Sequence, residues 1–142
     1  MNKPAYCLIS VIMAVSFAFS CAMAVSRETM QSVVLMRLKA FEIKAFYLAE
    51  AGIEHGKSLV ANDSSWFTEL TPVTDDKNRL LTSSSGDIYL FGNGGYKIIR
   101  ENGKNRLYSI GFIGTDILRS HAFSFQRIEF EMPFKTTKWE GF

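Results

Sequence analysis

From Pro4 through Ser26 the chain carries no charged residue, and its side chains are Ala, Val, Ile, Leu, Met, Phe and Cys with scattered Ser. Twenty-three uncharged residues at about 1.5 Å each suffice for a helix that crosses the hydrocarbon core of a bilayer. The pattern then changes but does not break. Met30, Val34, Leu38, Phe41, Ala45, Leu48, Gly52 and Leu59 recur mostly at three- or four-residue steps, with Arg37, Lys39, Glu42, Lys44, Glu50, Glu54 and Lys57 between them. That is the period of an amphipathic helix. Neither Gly nor Pro occurs between Ala5 and Ala51, so the two halves are predicted to form one helix from about Tyr6 to Val60, ended by the turn-forming run Asn62-Asp63-Ser64-Ser65. The face bearing Leu48, Gly52 and Leu59 is predicted to pack on whatever residues 86 to 134 form.

Residues 62 to 85 read as a polar, irregular stretch in which Trp66, Phe67 and Leu70 are the apolar anchors and Pro72 with Asp75-Asp76 marks a loop. Short runs with strand character follow: Asp87 to Phe91, Tyr96 to Glu101, Arg106 to Ile113 and His121 to Phe134. Gly92-Asn93-Gly94-Gly95 and Asn102-Gly103 separate the first three, which predicts an antiparallel meander joined by tight turns. In the last run Phe123 and Phe125 have one parity and Ile128, Phe130 and Met132 the other, which predicts a bulge near Gln126-Arg127. The expected fold class is α+β, with a long N-terminal helix packed on a small antiparallel sheet. Residues 1–26 are read as a membrane-spanning segment, 27–61 as its amphipathic continuation, and 62–142 as a globular head.

Composition narrows the chemistry. The 142 residues allow one modest folded unit, and 16 Lys plus Arg against 14 Asp plus Glu leave a net charge of +2, too small to imply nucleic-acid binding. Both cysteines, Cys7 and Cys21, lie in the apolar run. On one helix they stand roughly 21 Å apart, beyond the reach of a disulfide. The only histidines, His55 and His121, have no metal ligand at a recognised spacing. Glu50, Glu54 and His55 read as a solvated polar face, Gly92-Asn93-Gly94-Gly95 as a turn, and Ser83-Ser84-Ser85-Gly86 as a loop. No enzyme activity, cofactor or metal is expected.

Three fates of the apolar run are open. Lys3 followed by an apolar stretch and Ala22-Met23-Ala24 has the form of a cleaved secretory signal. Cys21 after Ser20 could accept a lipid, although Ala18 stands where a larger aliphatic residue is usual. A retained anchor is favoured because a signal peptide has no reason to run unbroken into an amphipathic helix. Lys3 and the amino terminus precede the run, while Arg27 and Glu28 cancel just after it. The positive-inside tendency therefore puts the start in the cytoplasm and the head outside it, periplasmic or extracellular, with the chain expected in the inner membrane.

The string Ala45-Phe46-Tyr47-Leu48-Ala49-Glu50-Ala51-Gly52-Ile53-Glu54-His55 resembles the helix signature of PilX-type minor pilins, which assist type IV pilus assembly. The whole plan of anchor, amphipathic helix and small sheet resembles type IV pilins and type II secretion pseudopilins. The resemblance implies a structural subunit that inserts its helix among those of other pilins or pseudopilins and helps initiate or cap a filament. The alternative is an exported binding module freed from a signal peptide. Ala45, Ala49, Gly52 and Gly56, around Glu50 and Ala51, form a strip of small residues that lets a neighbour approach the backbone. Two departures stand out. The processing site expected from the resemblance falls at Ala5 and Tyr6, with Ala where a pilin leader ends in Gly. The fifth residue after it is Ser10, where most pilins have Glu. In the family that Glu is thought to neutralise the amine of the adjacent subunit, so its absence implies a minor subunit and not a repeating one.

Overall fold

The computed structural model describes residues 3–68, 77–83, 86–131 and 135–141. Helix α1 runs Lys3–Asn62, in agreement with the uninterrupted sequence. Its C-terminal end is set by Asp63, whose amide still donates to the Leu59 carbonyl at 2.9 Å. The Asp63 carboxylate then accepts the Ser65 amide (2.9 Å) and hydroxyl (2.6 Å), a local turn that competes with further helix.

Five strands follow: β1 (Asp87–Phe91), β2 (Gly94–Arg100), β3 (Arg106–Ile113), β4 (Ala122–Glu131) and β5 (Lys135–Gly141). They lie in the order β1-β2-β3-β4-β5, every neighbouring pair antiparallel. The meander is as predicted, with a fifth strand that the sequence pattern did not signal. Phe91 pairs with Gly94, leaving Gly92 and Asn93 as a two-residue turn. Gly92 adopts φ 58°, a left-handed conformation that glycine reaches without a Cβ penalty. Gly94 and Gly95, expected in the turn, instead open β2 and are buried.

Two further expectations are corrected. Residues 62 to 85 are not wholly irregular, because Lys77–Thr82 form a short helix, α2. Its Leu80 is buried under the sheet, which compensates the cost of ordering so short a segment. Leu70, Pro72, Asp75 and Asp76 lie outside the described residues. No bulge occurs at Gln126-Arg127: β4 pairs with β3 without interruption from Ala122 to Glu129, and the register shifts against β5 between Glu129 and Phe130. The change of parity in β4 has another cause, namely that both faces of the sheet are covered. On one face Ile53 and Val60 of α1 meet Tyr96, Ile98, Leu107, Ile128 and Phe130. On the other, Leu80 of α2 and Ile117 of a short 3-10 turn (Ile117–Arg119) meet Ile99, Tyr108, Ile110, Phe112 and Phe125. Phe125 and Ile128 therefore point into different cores.

The second core also takes in Lys97, which is buried. Its Nζ donates to the carbonyls of Leu80 (3.4 Å) and Ser83, so the ammonium meets the acceptors left over at the end of α2.

The chain divides into two compact units, residues 1–37 and 38–142. The described residues of the first are all helix and belong to neither core cluster. The second holds the sheet, α2, the later part of α1 and both clusters.

Candidate functional site

In the first unit the large apolar side chains face outward all round the helix. Leu8 is 64% exposed, Met13 70% and Phe17 73%, and Val25 and Met30 are similarly open. No face of this stretch is reserved for water. Three of its hydroxyls bond back onto the helix: Ser20 Oγ donates to the Ser16 carbonyl (2.9 Å), Thr29 Oγ1 to Val25 (2.8 Å) and Ser32 Oγ to Glu28 (3.0 Å). A helix whose polar groups bond back onto its own carbonyls suits an apolar solvent. By length and composition this helix can cross a membrane, a test that an N-terminal signal sequence also passes. Cys7 and Cys21 are free and exposed. The backbone of Ala5 and Tyr6 is helical, while their side chains lie outside the described residues.

The second unit uses α1 in the opposite way. Ala45 and Ala49 are fully buried, Gly52 and Gly56 are buried, and β3 lies directly on them. A Cβ on Gly111 of β3 would fall well under 3.0 Å from the carbonyl oxygen of Ala45 and the amide nitrogen of Ala49. A Cβ on Gly52 would overlap Ser109 Oγ and stand 2.9 Å from Tyr96 Cδ2, and one on Gly56 would stand 2.5 Å from Leu107 Cδ2. Leu107, Ser109 and Gly111 alternate along β3 with Tyr108, Ile110 and Phe112. The first set decreases in size where it meets the helix, and the second fills the opposite core. Helix and strand thus touch backbone to backbone, which leaves no room for a methyl group.

Within the signature string, Glu50 is half-buried and Ala51 exposed, so neither is brought onto the sheet-facing strip. Phe46 and Tyr47 are also exposed, and their rings meet edge to face. The expectation of a wholly solvated Glu50-Glu54-His55 face needs correction at His55. Glu54 is exposed and bonds Lys57 at 2.5 Å, but the half-buried His55 places Nδ1 3.0 Å from Tyr96 Oη and its ring edge-on to Tyr89. The reason is geometric, since the step of about 100° per residue that leaves Glu54 in solvent turns His55 toward β1 and β2. Burial pushes the Tyr89 and Tyr96 phenols up, helped by the charge of Asp87 at Tyr89 and by Tyr89 at Tyr96. Among the described residues no three His, Cys, Asp or Glu side chains converge as metal ligands.

At the far end of β2, Arg100 is buried and donates from Nη1 to the Trp66 carbonyl at 2.6 Å, with its guanidinium over the Phe130 ring at 5.4 Å. Loss of hydration lowers its pKa, partly offset by the charge of Asp63. The Ser65 hydroxyl and amide hold the Asp63 carboxyl below the usual carboxylate range. On β5, hydrogen bonding to Lys138 lowers Glu140, and the charge of Arg127 adds to it. Lys57 Nζ stands over the Trp139 ring at 4.8 Å and ties that strand to α1.

Neither the partner strip on β3 nor the Arg100 site was identified from sequence. The alternation of small and large residues from Leu107 to Phe112 was the available signal for the first. Arg100 gave none, because its setting depends on Trp66 and Phe130, which are remote in the chain.

No protein-family model, no curated protein and no solved structure matches this chain.

Proposed function

We propose that this chain is a membrane-anchored, minor pilin-like subunit, which joins the helices of other pilins or pseudopilins through its N-terminal segment and helps initiate or cap a filament. One observation carries the reading: an entire run of bulky apolar side chains on α1 is without cover while the rest of the chain folds around two complete cores. Such a run is stable in lipid or among other apolar helices and is costly in water, at about 25 cal/mol for each Å² exposed. A chain that can exchange one apolar surrounding for the other fits a subunit withdrawn from a membrane into a helical assembly. The serine at position 10, where the resembled family has Glu, fits a subunit added rarely. The work proposed is structural, with no reaction catalysed.

The test is to fuse a cleavable secretory signal to residues 27–142 and ask whether the soluble form restores surface filaments or secretion in cells lacking the protein. Failure despite a folded head supports the assembly reading. Full restoration overturns it and promotes an exported binding module, the reading suggested by Ala22-Met23-Ala24. In the intact chain, Val15→Asp should block assembly while leaving the head folded, because an unpaired carboxylate is strongly disfavoured in lipid or in an apolar helix bundle.

A further inference from the structure

The two edges of the sheet differ. β5 carries Lys135, Lys138 and Glu140, charges of the kind that keep an edge from pairing further. β1 has neither a charge nor a Pro from Ile88 to Phe91 and keeps an uninterrupted register with β2, its one neighbour among the described residues. Ile88 is 53% exposed, Leu90 62% and Phe91 56%. Ile88 and Leu90 lie on one face of the strand and Phe91 on the other, so apolar side chains stand open on both sides of this edge.

The backbone between them is open as well. Phe91 and Gly94 flank a two-residue turn, so they exchange hydrogen bonds across the hairpin, and bonded and non-bonded pairs alternate from there along β1. By that alternation Tyr89 is bonded to β2. A Cβ on Gly95 would overlap the Tyr89 carbonyl oxygen, which is therefore turned toward β2. The amides and carbonyls of Ile88 and Leu90 are turned the other way, two residues apart, a spacing that another extended backbone matches. One charge bears on what that backbone carries. Lys44 of α1 is exposed and has no acid paired with it among the described residues. With Phe41, Leu48, Phe91 and Gly94 it lines a hollow of about 360 Å³ at the Phe91 end of β1. Asp87, exposed and on the same face as Phe91, marks the other end.

We infer that β1 is an acceptor edge for an extended segment of a partner protein. The segment adds antiparallel to β1, with an acidic residue opposite Phe91 beside Lys44, apolar residues opposite Leu90, Tyr89 and Ile88, and a basic residue opposite Asp87. The antiparallel sense is the more stable ladder, and the charges fix its register. The β1 strand of a second copy offers the same acid but does not fit. α1 lies along the strands, its Ala45, Gly52 and Gly56 meeting in turn Gly111, Ser109 and Leu107, so antiparallel pairing of two β1 strands would also reverse one α1 against the other. Two copies anchored in one membrane cannot meet that way. That exclusion rests on the anchor proposed above, whereas the edge itself and its test do not.

The experiment uses the full chain in detergent micelles and the end-capped peptide Ser-Asp-Val-Tyr-Val-Lys-Ser, with amide hydrogen exchange followed by NMR. Without peptide, the amides of Ile88 and Leu90 should exchange freely while that of Tyr89 is protected by β2. Saturating peptide should slow Ile88 and Leu90 by at least about tenfold and leave Tyr89 as it was. Exchanging the Asp and Lys of the peptide should weaken binding severalfold, and Lys44→Ala should reduce that preference. Methylating the backbone nitrogens of both valines, which face β1, should abolish binding, whereas methylating that of the tyrosine, which faces away, should not. Leu90→Pro removes an outward donor without touching a bond to β2 and should abolish binding too; the methylated peptides carry the test should that variant fail to fold. No protection by the peptide, the same response to both methylated forms, or indifference to the order of charges would each overturn the proposal. Protection of Ile88 and Leu90 without peptide that is lost on dilution would overturn it in favour of a second copy.

Discussion

Residues 7–38 and residues 45–60 belong to the same helix and treat hydrophobicity in opposite ways. The first stretch is rich in Leu, Ile, Val, Met and Phe, all exposed, while the second reaches full burial with Ala, Gly, Ile and Val. Along α1, bulk and apolarity alone therefore do not mark the stretch that packs on the sheet. Small residues mark it, because they let α1 settle onto β3 at backbone contact, with Ile53 and Val60 entering the core beside them. The bulky stretch marks a place where the chain relies on a surrounding other than itself.

The strongest way to break this comparison is to insert a methyl group between α1 and β3. Gly111→Ala should cost at least the upper end of the usual overpacking range of about 1 to 3 kcal/mol, since its Cβ would meet helix backbone at Ala45 and Ala49 and no rotamer change relieves that. Denaturant unfolding of the micelle-bound chain, followed by near-UV ellipticity of the head, measures it. Gly52→Ala should cost less, about 1 to 2 kcal/mol, because one of the atoms it meets is a hydroxyl that can turn away. Adding Ser109→Gly should recover part of that loss, so the double variant is more stable than the sum of the two singles. Strict additivity would remove the packing contact from the account.

How much of this was legible in the chain depends on how local the signal was. The missing Gly and Pro residues gave the helix, and the strand runs gave four of five strands, because both follow from neighbouring residues. The small-residue strip Ala45, Ala49, Gly52 and Gly56 was legible as a surface of close approach, but its partner was not, since Gly111 is brought to it by folding. β5 escaped notice because Lys135-Thr136-Thr137-Lys138 is polar, as suits an edge strand. The second core was hidden for a related reason. A strand covered on both sides has no solvent face, and the parity change in β4 was therefore mistaken for a bulge.

A smaller effect sharpens the other half of the comparison. Phe17→Ala removes one of the largest side chains of the anchor, yet it should change the unfolding free energy of the head by less than about 0.5 kcal/mol, because that side chain is exposed and belongs to neither core cluster. A larger change would mean that the anchor contributes to the fold. Smaller still is the response to acid at the exposed ends of the fold. Asp63 and Glu140 have lowered native pKa values, so their local ordering is complete above the ordinary carboxylate range of about 4 and is lost as pH falls through the native values. Hydrogen exchange at the Ser65 amide should accelerate, relative to neighbouring amides, over that acidic interval and not between pH 5 and 8.

The central claim is that the apolar half of α1 stays with the working protein. Intact-mass measurement of the chain recovered from its native membranes tests it most directly. The account predicts either the whole chain or a chain lacking residues 1–5 and beginning at Tyr6, in both cases retaining Cys7 and Cys21. A mature chain beginning at Val25, cut after Ala22-Met23-Ala24, would contradict it.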